Sequence, residues 1–354
     1  MLPTRYKPLS QNPMFGGFGA VEVVHDTFLD RRVVFKSMQC PADNDQLLNE
    51  VRQLSSARSR HIVEIYDVIL DDHGITQGII IEQLTGRNYA EFHVEAQKNT
   101  DSYIKVLYQI ATALTDLHEK GIIHRDLKLE NFRDSAASIL KLFDFGISTG
   151  DSGYYTINSR ATLVYAAPEF WGNEVKITSA MDIYAFGVCA WALAQKVFPP
   201  ELQQRPPQSL SLAPSIRIAL PDLPDEIISL VDSCIDVNPN RRPAASLISD
   251  LCARYLVRNK HKGLFVVGQR TIYELTHLNR NVSVNLGYLG GIRVDYNGLD
   301  FEVRAVTGDV YINNRPLLPG AKLSEACVLT FGKPELRSSR EWVNFSSSRP
   351  EVVL

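Results

Sequence analysis

Residues 124–131 read His124-Arg125-Asp126-Leu127-Lys128-Leu129-Glu130-Asn131, and downstream come Asp144-Phe145-Gly146 and then Ala167-Pro168-Glu169. Each fragment alone is unremarkable, but the three in this order and at these separations hardly arise by chance. Working outward toward the N-terminus, Phe15-Gly16-Gly17-Phe18-Gly19-Ala20-Val21 is a glycine-rich turn between two strand-like runs. Glycines there let backbone N–H groups approach phosphate oxygens with no Cβ in the way. Lys36 follows the apolar run Val33-Val34-Phe35. That is an odd place for a solvated lysine unless its head meets an anion.

The surrounding pattern sorts into three regions. Residues 15–85 show a strand rhythm in FGAVEVV, RRVVFKSM, HIVEIYDVIL and GIIIEQL, with one helix-like stretch, QLLNEVRQLSS. From 102 to 119, Ile104, Leu107, Ile110, Leu114 and Leu117 recur three or four apart, which marks one buried helical face closed by Gly121. Further helical patterns at 180–196, 225–237 and 244–257 make residues 86–257 mostly helical. They are interrupted by an irregular proline-studded stretch at 199–224. Beyond 258 the character becomes all β. IRVDY, Asn297-Gly298 and LDFEVRAV read as strand, two-residue type I′ turn and strand, with more short strands in VYIN, CVLTF and EWVNF.

Composition bounds the function. The chain has 354 residues, which suggests two or three domains, with 45% hydrophobic and 22% charged residues. Its net charge of -3 offers no bulk attraction to nucleic acid or anionic membrane. The five cysteines, Cys40, Cys189, Cys234, Cys252 and Cys327, are widely spaced with no C-x-x-C pair, which fits a reducing compartment. The N-terminus lacks the apolar core of a signal peptide, and the run at 183–194 is too short to span a bilayer. A cytoplasmic protein is expected.

The fragments at 124, 144 and 167 resemble the eukaryotic-type (Hanks-type) serine/threonine protein kinase family over about residues 10–257. The resemblance implies an α+β, bilobal protein-kinase fold: a small β-rich N-lobe at 1–85 and a larger helical C-lobe at 86–257. It also implies ATP and Mg²⁺ as cofactors and protein Ser/Thr hydroxyls as substrates. Gly16, Gly17, Phe18, Gly19 and Val21 would cover the nucleotide, and Glu82 and Leu84 would flank a hinge behind the gatekeeper Ile81. Lys36 would hold the α and β phosphates with Glu50 as its partner. Asp126 would be the catalytic base and Lys128 would neutralise the transferring phosphoryl group and favour Ser/Thr over Tyr. Asn131 and Asp144 would be the metal ligands. Residues 144–169 resemble the activation segment, in which phosphorylated Thr156 or Ser159 would engage Arg125, and Thr162 would sit beside Asp126. Glu169 with Arg242, and Asp182 at the head of a central helix, are implied structural charges.

Departures are Met14 in place of the first loop glycine, Leu129 where proline is commoner, and Ala161 for a glycine before Thr162. The tail, 258–354, resembles a forkhead-associated (FHA) β-sandwich, with Arg270 as a possible phosphopeptide contact and Asn313 in its turn. Its Ser-x-x-His element is not recognisable, and Gly308 stands where an asparagine is expected, which leaves a phosphoprotein reader and a degenerate docking domain both open. The rival to an autophosphorylating enzyme is a noncatalytic pseudokinase scaffold that binds nucleotide and partners.

Overall fold

The computed structural model describes residues 2–9, 14–15, 19–38, 51–52, 59–144, 162–172, 175–268 and 271–354. It divides into two compact units, Met1–Cys252 and Ala253–Leu354.

The first unit opens with an antiparallel sheet. Its strands are β1 (Tyr6–Pro8), β2 (Met14–Phe15), β3 (Gly19–Asp26), β4 (Arg31–Met38), β5 (Ile65–Leu70) and β6 (Thr76–Glu82), in the order β1-β3-β4-β6-β5 with β2 on β3. Tyr6, Val24, Val33, Ile69 and Ile80 bury one face. Asp26, 1% exposed, is held by a two-pronged bond from Arg5 at 2.7 and 2.8 Å. The register of β3 on β4 places Val21 opposite Lys36.

The helices follow. Asn99 caps the Thr100–His118 helix, its Oδ1 accepting from the N–H groups of Asp101 and Ser102. The apolar stripe of this helix is buried, and Tyr103 donates its hydroxyl to Ala190 O at 3.0 Å. That contact ties it to the Ser179–Ala194 helix, which is buried on nearly all sides. The helices at Asp225–Cys234 and Ala245–Leu256 each bury one face. A Cβ on Gly187 would stand 2.6 Å from Ile235, so a glycine is required where the central helix meets the turn after Cys234. The proline-rich stretch is irregular, with short 3₁₀ turns at Pro200–Gln203 and Ile216–Ile218.

The helical region also contains a hairpin that periodicity does not reveal: β7 (Phe132–Asp134) and β8 (Leu140–Leu142). Three residues are too few to show alternation. This hairpin joins the sheet to the helices. Leu142 bridges Ile62 in parallel, Leu140 N–H donates to Gln109 Oε1 at 3.0 Å, and Gly86 N–H donates to Asp134 O at 2.9 Å.

The second unit is all β. It contains β9 (Gly263–Val267), β10 (Thr271–Leu275), β11 (Asn281–Asn285), β12 (Gly290–Tyr296), β13 (Phe301–Gly308), β14 (Val310–Ile312), β15 (Arg315–Pro316), β16 (Ala326–Phe331) and β17 (Glu341–Ser347). One sheet runs β10-β9-β17-β16-β14-β15 and the other β11-β12-β13, with a shared core that includes Phe265, Val284, Val294, Val303, Leu329 and Phe345.

One expectation about its turns needs correction. The β12–β13 hairpin exists, but Tyr296 pairs with Phe301, so the loop is four residues, 297–300, and only Gly298 there has positive φ. The Asn297 side chain accepts from the N–H groups of Leu299 and Asp300, an Asx turn that replaces the type I′ geometry. The two-residue hairpin lies at Asn313-Asn314 instead, between β14 and β15, both with positive φ as a type I′ turn demands. Gly308 has φ +68°, and a Cβ there would stand 2.8 Å from Gly290 Cα. Backbone geometry therefore selects glycine at 308.

Candidate active site

The chain around Asp126 is shaped by Asp182 at the head of the central helix. Its Oδ2 accepts the His124 N–H at 2.8 Å, and its Oδ1 accepts the Arg125 N–H at 2.9 Å. His118 Nε2 lies 2.9 Å from the same carboxylate. These bonds hold Arg125 at φ +69°, a left-handed conformation that costs a non-glycine residue about 1–2 kcal/mol. Sequence alone could not show that the loop is bent this way, since nothing local requires it. His124 is 1% exposed, burial pushes its imidazole pKa down, and its Nδ1 accepts the Asp126 N–H at 3.3 Å. A neutral ring fits that role.

Asp126 Oδ2 meets Lys128 Nζ at 2.6 Å. The Asn131 side-chain amide donates to Asp126 O at 2.8 Å, with longer contacts to Asp126 Oδ2 at 3.4 Å and Asp144 O at 3.5 Å. The Asn131 N–H₂ is thereby turned inward, which leaves Oδ1 as the atom that could hold a metal ion. Asp144, at φ +59°, takes Lys36 Nζ at 3.0 Å. Burial works to raise the Asp144 carboxyl, but the Lys36 ammonium and its hydrogen bond outweigh that, with Lys128 and His124 adding to them, and hold it below the ordinary value. Residues distant along the chain, Lys36, Asp126, Lys128, Asn131 and Asp144, thus form one constellation.

Behind it lies the segment after β6. Glu82 donates its N–H to Glu64 O at 2.8 Å, whereas the Leu84 N–H has no acceptor among the described residues. The Glu82 carboxylate meets Lys141 Nζ at 2.8 Å, and Lys141, only 7% exposed, also reaches Ile62 O at 3.3 Å. The sequence reading missed this brace, although a lysine between two leucines in a buried strand was its signal. It also missed Asp134, which accepts from Arg87 Nε at 3.0 Å and from the Tyr89 hydroxyl. Below the loop, Arg242 grips Glu169 with two bonds of 2.7 and 2.8 Å.

Among the described residues, no three His, Cys, Asp or Glu side chains form a metal cage. The donor set is one carboxylate and one amide oxygen. Hard donors this few suit a small divalent ion that keeps waters and takes its other oxygens from phosphate. Thr162 opens the helical turn Thr162–Tyr165. Gly16, Gly17, Phe18, Glu50, Thr156, Ser159 and Arg270 lie outside the described residues, and Gly19 is described only as the start of β3.

The sheet, the bent loop and the lysine–aspartate meeting define a protein of the protein kinase class. The protein kinase domain family model matches residues 15–253, about two thirds of the chain, and the chain belongs to that family. It is 27% identical over 250 residues to the megakaryocyte-associated tyrosine-protein kinase of Rattus norvegicus, covering 68% of this chain and 51% of the relative. It is 29% identical over 258 residues to a probable serine/threonine-protein kinase of Clostridium acetobutylicum, covering 68% and 38%. Receptor-interacting serine/threonine-protein kinase 1 of Homo sapiens is 28% identical over 255 residues, covering 64% and 37%. The chain spans about half or less of the length of these relatives. No described helix is long and apolar enough to cross a membrane.

Proposed function

We propose that this chain is a cytoplasmic serine/threonine protein kinase that transfers the ATP γ-phosphoryl group to protein hydroxyls, its own included. The observation that carries this is the convergence of Lys36 and Asp144 at 3.0 Å beside an asparagine that contacts both Asp126 and Asp144. Mg²⁺ held by Asn131 and Asp144 would neutralise charge on the triphosphate. Lys36 presents a fixed cation to the phosphates. The Asp126 carboxylate takes the proton of the substrate hydroxyl as its oxygen bonds phosphorus and the bond to ADP breaks. General-base groups contribute typically about 10²- to 10⁴-fold in rate. Lys128, at 2.6 Å from Asp126, sits where charge gathers on the moving group and supports the Ser/Thr preference. Arg125 would receive phosphorylated Thr156 or Ser159, which would order the activation segment. The second unit, with its two sheets, would be an FHA-like module that recruits a partner.

Transfer of labelled γ-phosphate to the chain itself and to a generic basic protein tests this. Asp126→Ala and Lys36→Met are expected to be silent. Unchanged activity in both would refute the mechanism, and a wild type that binds MgATP without transfer would favour the scaffold. Phosphate mapped by mass spectrometry within 148–162, with a lower rate after phosphatase, would support activation-segment control.

A further inference from the structure

We propose that the outer face of the six-stranded sheet in the second unit is a homodimer interface, on which a second copy of this chain packs face to face with Asn344 at the twofold axis. Phe265, Leu329, Val343 and Phe345 are buried in the core shared with the other sheet. Their strand neighbours therefore stand on the opposite, outer face. The register aligns four of these in one row across β10, β9, β17 and β16: Ile272, Val266, Asn344 and Val328. Leu264, Ala326 and Trp342 flank the row, and Ile272 and Trp342 are 65% and 60% exposed.

The other sheet of the same sandwich carries the opposite kind of outer face. Ser283, Arg293, Asp295, Glu302 and Arg304 stand there, and Arg304 meets Asp295 at 3.4 Å and Glu302 at 2.8 Å. An antiparallel sheet with water on one side normally shows such polar residues. On the six-stranded sheet the charges are at the rim. Glu274 on the edge strand β10 lies 3.8 Å from Lys262, and the Arg340 guanidinium covers the Tyr311 ring. A contiguous apolar face with a polar rim marks a site of association.

Two features select a second copy as the occupant. The first is the polar group at the centre of the face. On a twofold axis a residue meets itself, so a charge there would be repelled, whereas an amide both donates and accepts and pairs with its own copy. Asn344 is exposed, and its amide has no protein partner among the described residues. The second feature is area. The strands from β10 to β14 in sheet order, at about 4.8 Å spacing and about 3.4 Å per residue, give a face of roughly 24 by 19 Å. Two such faces, with the relief of their side chains, reach about 1,000 Å², the floor for a specific contact. The dimer is therefore reversible.

Sedimentation equilibrium of the full chain from about 1 to 100 µM tests this. The mass is expected to rise with concentration from 39.7 kDa toward twice that value. Ile272→Glu and Val328→Glu change exposed positions, so both should keep the wild-type circular dichroism. Each would bury an unpaired charge at the contact and should weaken association at least about 10-fold. Ser283→Glu, on the polar sheet, should leave it unchanged. Asn344→Asp and Asn344→Lys should each be monomeric at neutral pH and associate again when mixed. A wild type that stays at 39.7 kDa throughout would overturn the proposal and assign the face to another macromolecule or to the first unit. Association that survives both glutamates, or a mixture of the two residue-344 variants that remains monomeric, would overturn it as well.

Discussion

Replacing Glu169 by alanine strips two charge-assisted hydrogen bonds from Arg242, a guanidinium whose side chain is wholly buried. Breaking a buried pair by removing one partner typically costs about 3–5 kcal/mol, because the remaining charge is left uncompensated. Two features place this case at the lower end. Glu169 is 22% exposed, so water can enter its place. Arg242 also keeps Asp236 O at 2.8 Å and Ala180 O at 2.9 Å. A loss of about 3 kcal/mol follows, and with a urea slope near the upper end of the usual range, about 3 kcal/mol per molar, the midpoint moves down by about 1 M.

The chain supplies its own probe for this measurement. Trp171 and Trp191 lie in the first unit, Trp191 fully buried, while Trp342 in the second unit is 60% exposed. Urea titration by tryptophan emission in a Trp342→Phe background isolates the first unit. Glu169→Gln, which keeps an acceptor but not the charge, is expected to fall between wild type and alanine. A midpoint shift below about 0.2 M for Glu169→Ala would show that the pair is screened and that the reasoning from burial is wrong.

Three further outcomes follow from the same geometry. Asp182→Asn leaves at least one of the His124 and Arg125 N–H groups facing a donor, at about 1–3 kcal/mol; labelled-phosphate transfer should fall about 5- to 150-fold while far-ultraviolet circular dichroism stays native. Gly308→Ala forces a Cβ against Gly290 at a positive φ, so the second unit should lose at least about 1 kcal/mol, and a Trp342 transition at the wild-type urea midpoint would refute it. The bonds from Arg5 bring the Asp26 carboxyl down to about 2, so its contribution is present above the ordinary carboxylate pKa near 3.8 and is lost as pH falls from about 4 to 2. Arg5→Met should flatten the acid-unfolding curve in that window, and an identical curve would exclude the link.

The helices and the motif residues were legible in the chain because their signals are local. The Thr100–His118 stripe and the helix heads near 179, 225 and 245 follow from apolar spacing. The hairpin of the second unit was also legible, but its turn type was not. Asn297 satisfies the loop with its side chain, and the type I′ turn falls on Asn313-Asn314, where no glycine announces it.

What the amino-acid order determined by itself was the inventory: a lysine, two aspartates and an asparagine in the motifs of the protein kinase family, with helical and β regions in sequence. Tertiary structure decided which groups meet. Asp182 bends a loop more than fifty residues upstream, and Lys141 neutralises Glu82. Those outcomes depend on strand register and on the approach of distant segments. A side chain's partner there is set by which desolvated charge must be compensated, and that information is absent from any local window of the chain.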